Sequence, residues 1–392
     1  MKEKLTKNYY YLKFIFFLRF FADSMFYSYT ALYLASIGLK EGMIGSITSI
    51  TTITCLIVNP IWSIVAKNNK VSRFLLFILT IIEGVLIIIY GNMDLPSLIM
   101  VLTCLLAVSS GPYYNILDGY ASSICEKTGK KYSNIRVMGS IAYLVGVPIS
   151  GILIGTIGFT WVFCISGIIF ILTGISSLLL RKQSDIENKN EKKRDYFGII
   201  KNKSFIFYVI FYILVITVST VTDSYVSIIY TQVKGLTTTE YSFVNALILV
   251  FETVFLLISG KLFSKTKDIY LILIFGLCFF LKVYVISFTD LPLYILIPFS
   301  CLRGVAYGIF LFFHIRYLIK LVGVENVTTA AIILSVLSSL FQFTLNNTVG
   351  YIIEIMGYGF TYKILSFVIL GAIIVYSFIL CLKKPKICEK TM

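Results

Sequence analysis

Several ionisable residues interrupt long apolar runs, and their spacing suits proton and polar-solute chemistry. Arg19 and Asp23 stand one helical turn apart, with Tyr27 and Thr30 continuing the face. Two readings fit them: a gating or proton-coupling pair beside a solute path, or an intrahelical ion pair that only neutralises both charges. Tyr114, Asp118 and Ser122 share a second face; Arg136, Ser140 and Tyr143 share a third. A carboxylate at Asp118 whose proton affinity depends on the nearness of Arg136 would couple protons to transport, whereas a static pair would only join two helices. Glu252 lies between Asn245 and Ser259, one heptad step either side, and Asp223 is a further acid. Arg303, Tyr307 and His314 align at helical spacing. His314 is the single histidine, and imidazole titrates where physiological gradients act, so it is either a proton carrier or a packing residue. Ser335, Ser339, Gln342 and Asn346 form a stripe of hydroxyls and amides, suited to a polar solute or to interhelical hydrogen bonding.

On these faces the expected substrate contacts are Tyr114, Tyr143, Gln342 and Asn346. The expected coupling or gating residues are Arg19, Asp23, Asp223, Glu252, Arg303 and His314. Glu83 finds no role in these patterns, and Lys282 is long enough to snorkel out of an apolar run.

Residues so spaced must be carried on helices that cross a membrane. The 392 residues are 58% hydrophobic and 14% charged, too few charged groups to cover a soluble chain of this length. Apolar runs repeatedly reach the roughly 20 residues that span hydrocarbon as a helix. Twelve are read: 11–37, 43–66, 74–91, 96–124, 135–156, 159–180, 204–230, 239–263, 269–288, 291–319, 327–355 and 359–382. They lack the alternation of barrel strands, and the first is too long for a cleavable signal peptide. The net charge of +15 is a topology signal rather than a sign of nucleic acid. Of the 34 lysines and arginines, only Lys40 and Lys234 fall in loops of one side. Arg19, Lys282, Arg303 and Lys363 lie in or beside spans, and the rest cluster in the termini and loops of the other side. That bias predicts a multi-pass protein of the cell membrane with both termini cytoplasmic. The eight cysteines are scattered without a C-x-x-C pair, so neither a zinc site nor a disulfide framework is expected, and no cofactor.

The chain also repeats itself. Asp23-Ser24 is echoed by Asp223-Ser224, Gly38-Leu39 by Gly235-Leu236, and Asp94-Leu95-Pro96 by Asp290-Leu291-Pro292. The predicted organisation is a six-helix half over 1–180, a charged cytoplasmic linker over 181–203 and a second six-helix half over 204–392. Two such halves rocking about a central site would give alternating access. No Walker-type phosphate loop occurs, which favours a secondary transporter over a pump.

Two six-helix halves, basic loops after spans two and eight and a charged linker resemble the major facilitator superfamily. The stretch Pro60–Arg73 looks like a degenerate form of its cytoplasmic signature, with Lys67 where an aspartate is usual; Gly260–Lys267 likewise lacks the acid. Within the superfamily, Tyr132–Tyr143 resembles the fifth-helix entrance of proton symporters for oligosaccharides, nucleosides and phenylpropionate, of the lactose permease type. That resemblance implies Arg136 and Asp118 as substrate contacts. His314-Ile-Arg316-Tyr317-Leu318 is similar to the same group. Gly146-Val-Pro148-Ile-Ser-Gly151 is partly similar to a signature of drug and sugar exporters, although Gly151 and Gly155 also make an ordinary small-residue packing pair. The expected function is proton symport of a sugar or nucleoside by a monomer in the bilayer. Proton-coupled efflux is the alternative, and a transport-fold sensor a further one. With one histidine and no nucleophile–base arrangement, catalysis is not expected.

Overall fold

A computed structural model of the chain describes residues 2–65, 69–180 and 196–382. Residues 181–195 of the charged linker, and Lys67 in the basic loop, lie outside the described residues.

The helices are α1 (Lys2–Phe26), α2 (Thr30–Ser36), α3 (Glu41–Val65), α4 (Asn69–Tyr90), α5 (Pro96–Thr128), α6 (Ser133–Ser177), α7 (Tyr196–Lys201), α8 (Lys203–Tyr212), α9 (Val218–Ile228), α10 (Thr238–Leu262), α11 (Asp268–Ile286), α12 (Leu293–Val322) and α13 (Val327–Leu382). No strand occurs among the described residues. Nine helical stretches among them are long and apolar enough to cross a membrane. Two hold a pair of the predicted spans each. α6 turns over at Gly158 (φ 83°, ψ 170°) and α13 at Gly357 (φ 79°, ψ 169°), a conformation that a Cβ would oppose. The first predicted span is α1 with α2. The fold is thus the expected all-α membrane architecture. Its repeat is visible in the backbone: the six glycines with positive φ among the described residues pair as Gly38 with Gly235, Gly129 with Gly323 and Gly158 with Gly357.

The chain gathers into two compact units. Unit 1 comprises Met1–Glu191 with Tyr225–Ala246 and Asn346–Glu354; unit 2 comprises Lys192–Ser224, Leu247–Leu345 and Ile355–Met392. In unit 1, α6 packs along α1 and α4, and α5 against α3 and α4. Its core is aliphatic and aromatic, with Leu12, Phe16, Leu76, Tyr113, Leu117 and Ile135 almost wholly buried. In unit 2, α11 packs along α12. Two π-helical turns, Ile213–Thr217 and Ile229–Val233, flank α9 and interrupt the helical ladder either side of Asp223.

Glycines set how closely these helices approach, and charged residues sit beside them. A Cβ on Gly84 would lie 2.6 Å from the Gly167 carbonyl oxygen, and one on Gly167 2.5 Å from that of Gly84, so α4 and α6 meet backbone to backbone next to Glu83. In unit 2, Gly304 and Gly308 of α12 abut the α10 backbone around Glu252; a Cβ on Gly308 would lie 2.7 Å from the Leu256 nitrogen. Gly151 and Gly155 press on Ser242 and Thr239 within unit 1, so the small residues of the exporter-like stretch serve close packing. Gly308→Ala should destabilise the protein by about 1–3 kcal/mol through overpacking against backbone. Gly119→Ala, where an added Cβ meets nothing within 4 Å, should leave thermal unfolding in detergent unchanged or slightly raised. Equal behaviour of the two would contradict the close backbone approach.

Candidate functional site

Each unit holds a cluster of charges within its helices. In unit 1, Arg19 and Asp23 of α1 and Glu83 of α4 are all 0% exposed. The Arg19 guanidinium donates to both oxygens of Glu83, Nη1 to Oε2 at 2.5 Å and Nη2 to Oε1 at 2.9 Å. Such a two-pronged pair matches the planar guanidinium to the planar carboxylate. Asp23 Oδ1 lies 3.4 Å from Arg19 Nη2 and accepts no hydrogen bond, while Oδ2 accepts one from the Tyr114 hydroxyl. The Tyr27 hydroxyl donates to Glu83 Oε1 at 2.7 Å. Aromatic faces enclose the cation: Tyr113 and Phe170 lie 4.3 and 4.4 Å from the guanidinium carbon. One cation therefore faces two carboxylates, and a single proton makes the group neutral.

In unit 2 the charges balance. Asp223 of α9 accepts from Lys282 Nζ of α11 at 2.5 Å and from Arg303 Nε of α12 at 2.7 Å. Arg303 also reaches Glu252 of α10 at 3.5 Å. Lys282 donates a second hydrogen bond to Thr222 at 3.1 Å. Tyr307 shares a hydrogen bond with Thr220 at 3.1 Å and lies under the Arg303 guanidinium.

The expected residues thus fall out differently from their spacing. Arg19 and Asp23 are neighbours, but the main partner of Arg19 is Glu83, for which the sequence offered no role. Lys282 does not snorkel: its side chain is 1% exposed and bonded to Asp223. Asp223, Glu252 and Arg303 come together. His314 stands apart from them, sharing a 2.7 Å hydrogen bond between Nδ1 and the Tyr208 hydroxyl and packed on Tyr212 and Phe310. Asp118 and Arg136 do not form the expected pair. Asp118 accepts from Tyr132 at 2.6 Å, and the Arg136 guanidinium lies 4.5 Å over the Phe20 ring. Phe20 also packs on Tyr114 and Tyr143, with ring centroids 5.5 and 6.1 Å away. Tyr114, Tyr143, Arg136 and Asp23 thereby border one stretch of unit 1. Asn346 is 2% exposed, and its backbone oxygen faces Gly45 of α3. Gln342 is half-buried and belongs to unit 2. Near the degenerate signature of unit 2, the acid missing from Gly260–Lys267 is supplied by Asp268, which accepts from Arg316 at 2.9 Å and Lys320 at 2.6 Å.

Glu83 and Lys282 were within reach of sequence reasoning. They correspond across the internal repeat, as Asp23 and Asp223 do. Charge balance orders the outcome of mutation in unit 1. Arg19→Gln leaves two buried carboxylates without a cation and should cost about 3–5 kcal/mol. Glu83→Gln leaves Arg19 with Asp23 and should cost clearly less. Thermal unfolding of the purified variants tests the order, and an equal loss in both would refute it.

Residues 12–341 match the family described as Major Facilitator Superfamily. An uncharacterised transporter of Bacillus subtilis, YwbF, is 22% identical over 287 residues, covering 72% of this chain and 70% of the relative. Crystal structures share the fold. The nucleoside transporter NupG superposes with a TM-score of 0.83 at 14% identity, over 97% of this chain and 100% of that one. A transporter of the POT family, in complex with a thioalcohol-conjugated peptide, gives 0.75 at 14% identity, over 98% and 97% of the two chains. A bacterial homologue of the human lysosomal transporter Spinster gives 0.71 at 13% identity, over 95% and 96%. A chain of apolar helices with an internal repeat, matched to the family over most of its length, belongs to the Major Facilitator Superfamily.

Proposed function

We propose that this chain is a secondary transporter that carries a small polar organic solute together with protons, its two halves alternating access to a site between the membrane faces. The observation that carries the reading is the cluster of Arg19, Asp23 and Glu83. It is buried and holds one carboxylate more than it has cations. Within low-dielectric surroundings, a group that becomes neutral on gaining one proton has the charge balance that a proton carrier needs. Asp23 is the carrier within it, because Glu83 is held two-pronged by Arg19 and capped by Tyr27. Tyr114 connects Asp23 to the aromatic wall that Arg136 and Tyr143 border. Solute and proton sites are thus adjacent, as coupling requires.

Uptake of a sugar or nucleoside is the substrate class that agrees with the polar residues Tyr114, Tyr143, Arg136 and Asp118. The fold shared with a protein named as a nucleoside transporter is compatible with it. In this reading Asp223, Lys282, Arg303 and Glu252 act as a gating and supporting cluster. The protein works as a monomer in the cell membrane, with its termini in the cytoplasm.

The test is proton movement in cells expressing the protein, read as external pH while sugars and nucleosides are added singly. One compound should alkalinise the medium. Asp23→Asn should bring that response to background while energy-independent exchange of the same solute persists. Alkalinisation retained in Asp23→Asn would remove the proposed carrier. Acid release from loaded inverted vesicles on adding a drug would point instead to export.

A further inference from the structure

Arg136 differs from the arginines and lysines that the structure buries in charge clusters. Arg19, Lys282 and Arg303 each touch a carboxylate. Among the described residues Arg136 forms no ion pair, although it belongs to a stretch apolar enough to cross the membrane. It is exposed, yet it does not extend away from the helix. It lies back along α6, so that a Cβ on Gly139 would meet its Nη1 at 2.9 Å, and its flat face rests on Phe20. Stacking occupies the face of a guanidinium and leaves its N–H edge free, the edge that binds planar anions. Tyr143, two turns along α6 and packed on the same Phe20 ring, has a hydroxyl with no partner among the described residues.

We infer that the transported solute carries an anionic group, a carboxylate or a phosphate, held by the Arg136 guanidinium and the Tyr143 hydroxyl beside Phe20. This rests on the transport reading above and narrows its substrate class from neutral sugars and nucleosides to acids. A neutral polar solute would leave the guanidinium unpaired within a membrane-spanning helix, whereas an anion completes it as carboxylates complete the others.

The inference gives the coupling a physical cause. The groups facing Asp23 are Arg19 from α1 and Tyr27 just after it, Glu83 from α4, Tyr113 and Tyr114 from α5, and Arg136 and Tyr143 from α6. With the site empty, Arg136 is a second positive charge acting on Asp23. An anion bound there cancels that charge and leaves Asp23 with only Arg19, which Glu83 already engages. Anion and proton then favour each other's binding, reciprocally as linkage demands. A monoanion and one proton cross as a neutral pair.

The experiment uses the purified full-length chain and solutes differing only in charge: glucose with glucuronate and glucose 6-phosphate, uridine with uridine 5′-monophosphate, phenylethanol with phenylacetate. Thermal unfolding reads binding at millimolar concentration. At least one anion should raise the unfolding temperature while its neutral partner does not, and carboxylate against phosphate members identify which group fits. Arg136→Gln should weaken that anion about ten- to a hundredfold, the worth of a charge-assisted hydrogen bond. Arg136→Lys, which keeps the charge, should retain part of the affinity and shows that a loss in the glutamine variant is not misfolding. In proteoliposomes a carboxylate that binds should enter with one proton and without current, and a phosphate should do so in its monoanionic form. A neutral partner that binds as well as its anion, an affinity untouched by Arg136→Gln, or no stabilisation by any of the anions would overturn the inference. Proton movement with a neutral solute would do so while sparing the transport reading. Anion binding with no proton movement would spare the inference and sink that reading.

Discussion

Hydrocarbon gives a buried charge no water to turn to, so each ion buried in the two clusters is answered by another group of the chain. Much of the packing can be understood from that constraint. Glu83 meets Arg19 at 2.5 Å beside the place where α4 and α6 touch backbone to backbone, at Gly84 and Gly167. Arg303 meets Glu252 beside the place where Gly304 and Gly308 let α12 close on α10. Larger residues would hold those helices apart by the width of a side chain, and the ion pairs would lengthen or admit lipid. Small residues and charges are therefore one device: the glycines set the approach, and the approach makes the charges tolerable.

The two clusters are versions of one template with the charges redistributed. Asp23 and Asp223 stand at corresponding positions of the repeat, as do Glu83 and Lys282. In unit 1 the base is Arg19 on the aspartate's own helix and the second site holds an acid. In unit 2 the counterpart of Arg19 is Ser219, which is buried, and the second site holds the base. Swapping acid for base at the second site requires the first site to lose its cation, and the sequence shows both changes together. Arg303 and Glu252, added from α12 and α10, extend the second cluster without altering its balance.

Apolar run length and the bias of basic loops made the fold readable, because hydrocarbon thickness and lipid-facing chemistry act on each segment separately. The breaks at Gly158 and Gly357 fall where the fifth and sixth, and the eleventh and twelfth, predicted runs were divided. Partner choice was less legible. The spacing of Asp118 and Arg136 says how far along each helix they lie but not which way they turn. Tyr132, just before α6, takes Asp118, and Phe20 of α1 takes the face of Arg136. His314 lies on the same helix as Arg303, yet its neighbours are aromatic rings and the Tyr208 hydroxyl rather than charges. Glu83 and Lys282 had no polar face to announce them; only the register of the repeat gave them away.

Symmetry of the template sharpens the contrast between the units. A cluster with equal numbers of acids and bases has no reason to exchange protons, since taking up or losing one would leave a net charge where charge is costly. A cluster with one surplus carboxylate is charged until a proton arrives and neutral afterward, so it sits near a choice between two states. Tyr114 puts that choice in contact with the wall of unit 1, because its hydroxyl is bonded to Asp23 and its ring lies against Phe20. Under the transport proposal, a solute settling on Phe20 and a proton settling on Asp23 would touch the same tyrosine. The departure of unit 1 from balance, not its likeness to unit 2, is what the proposed coupling draws on.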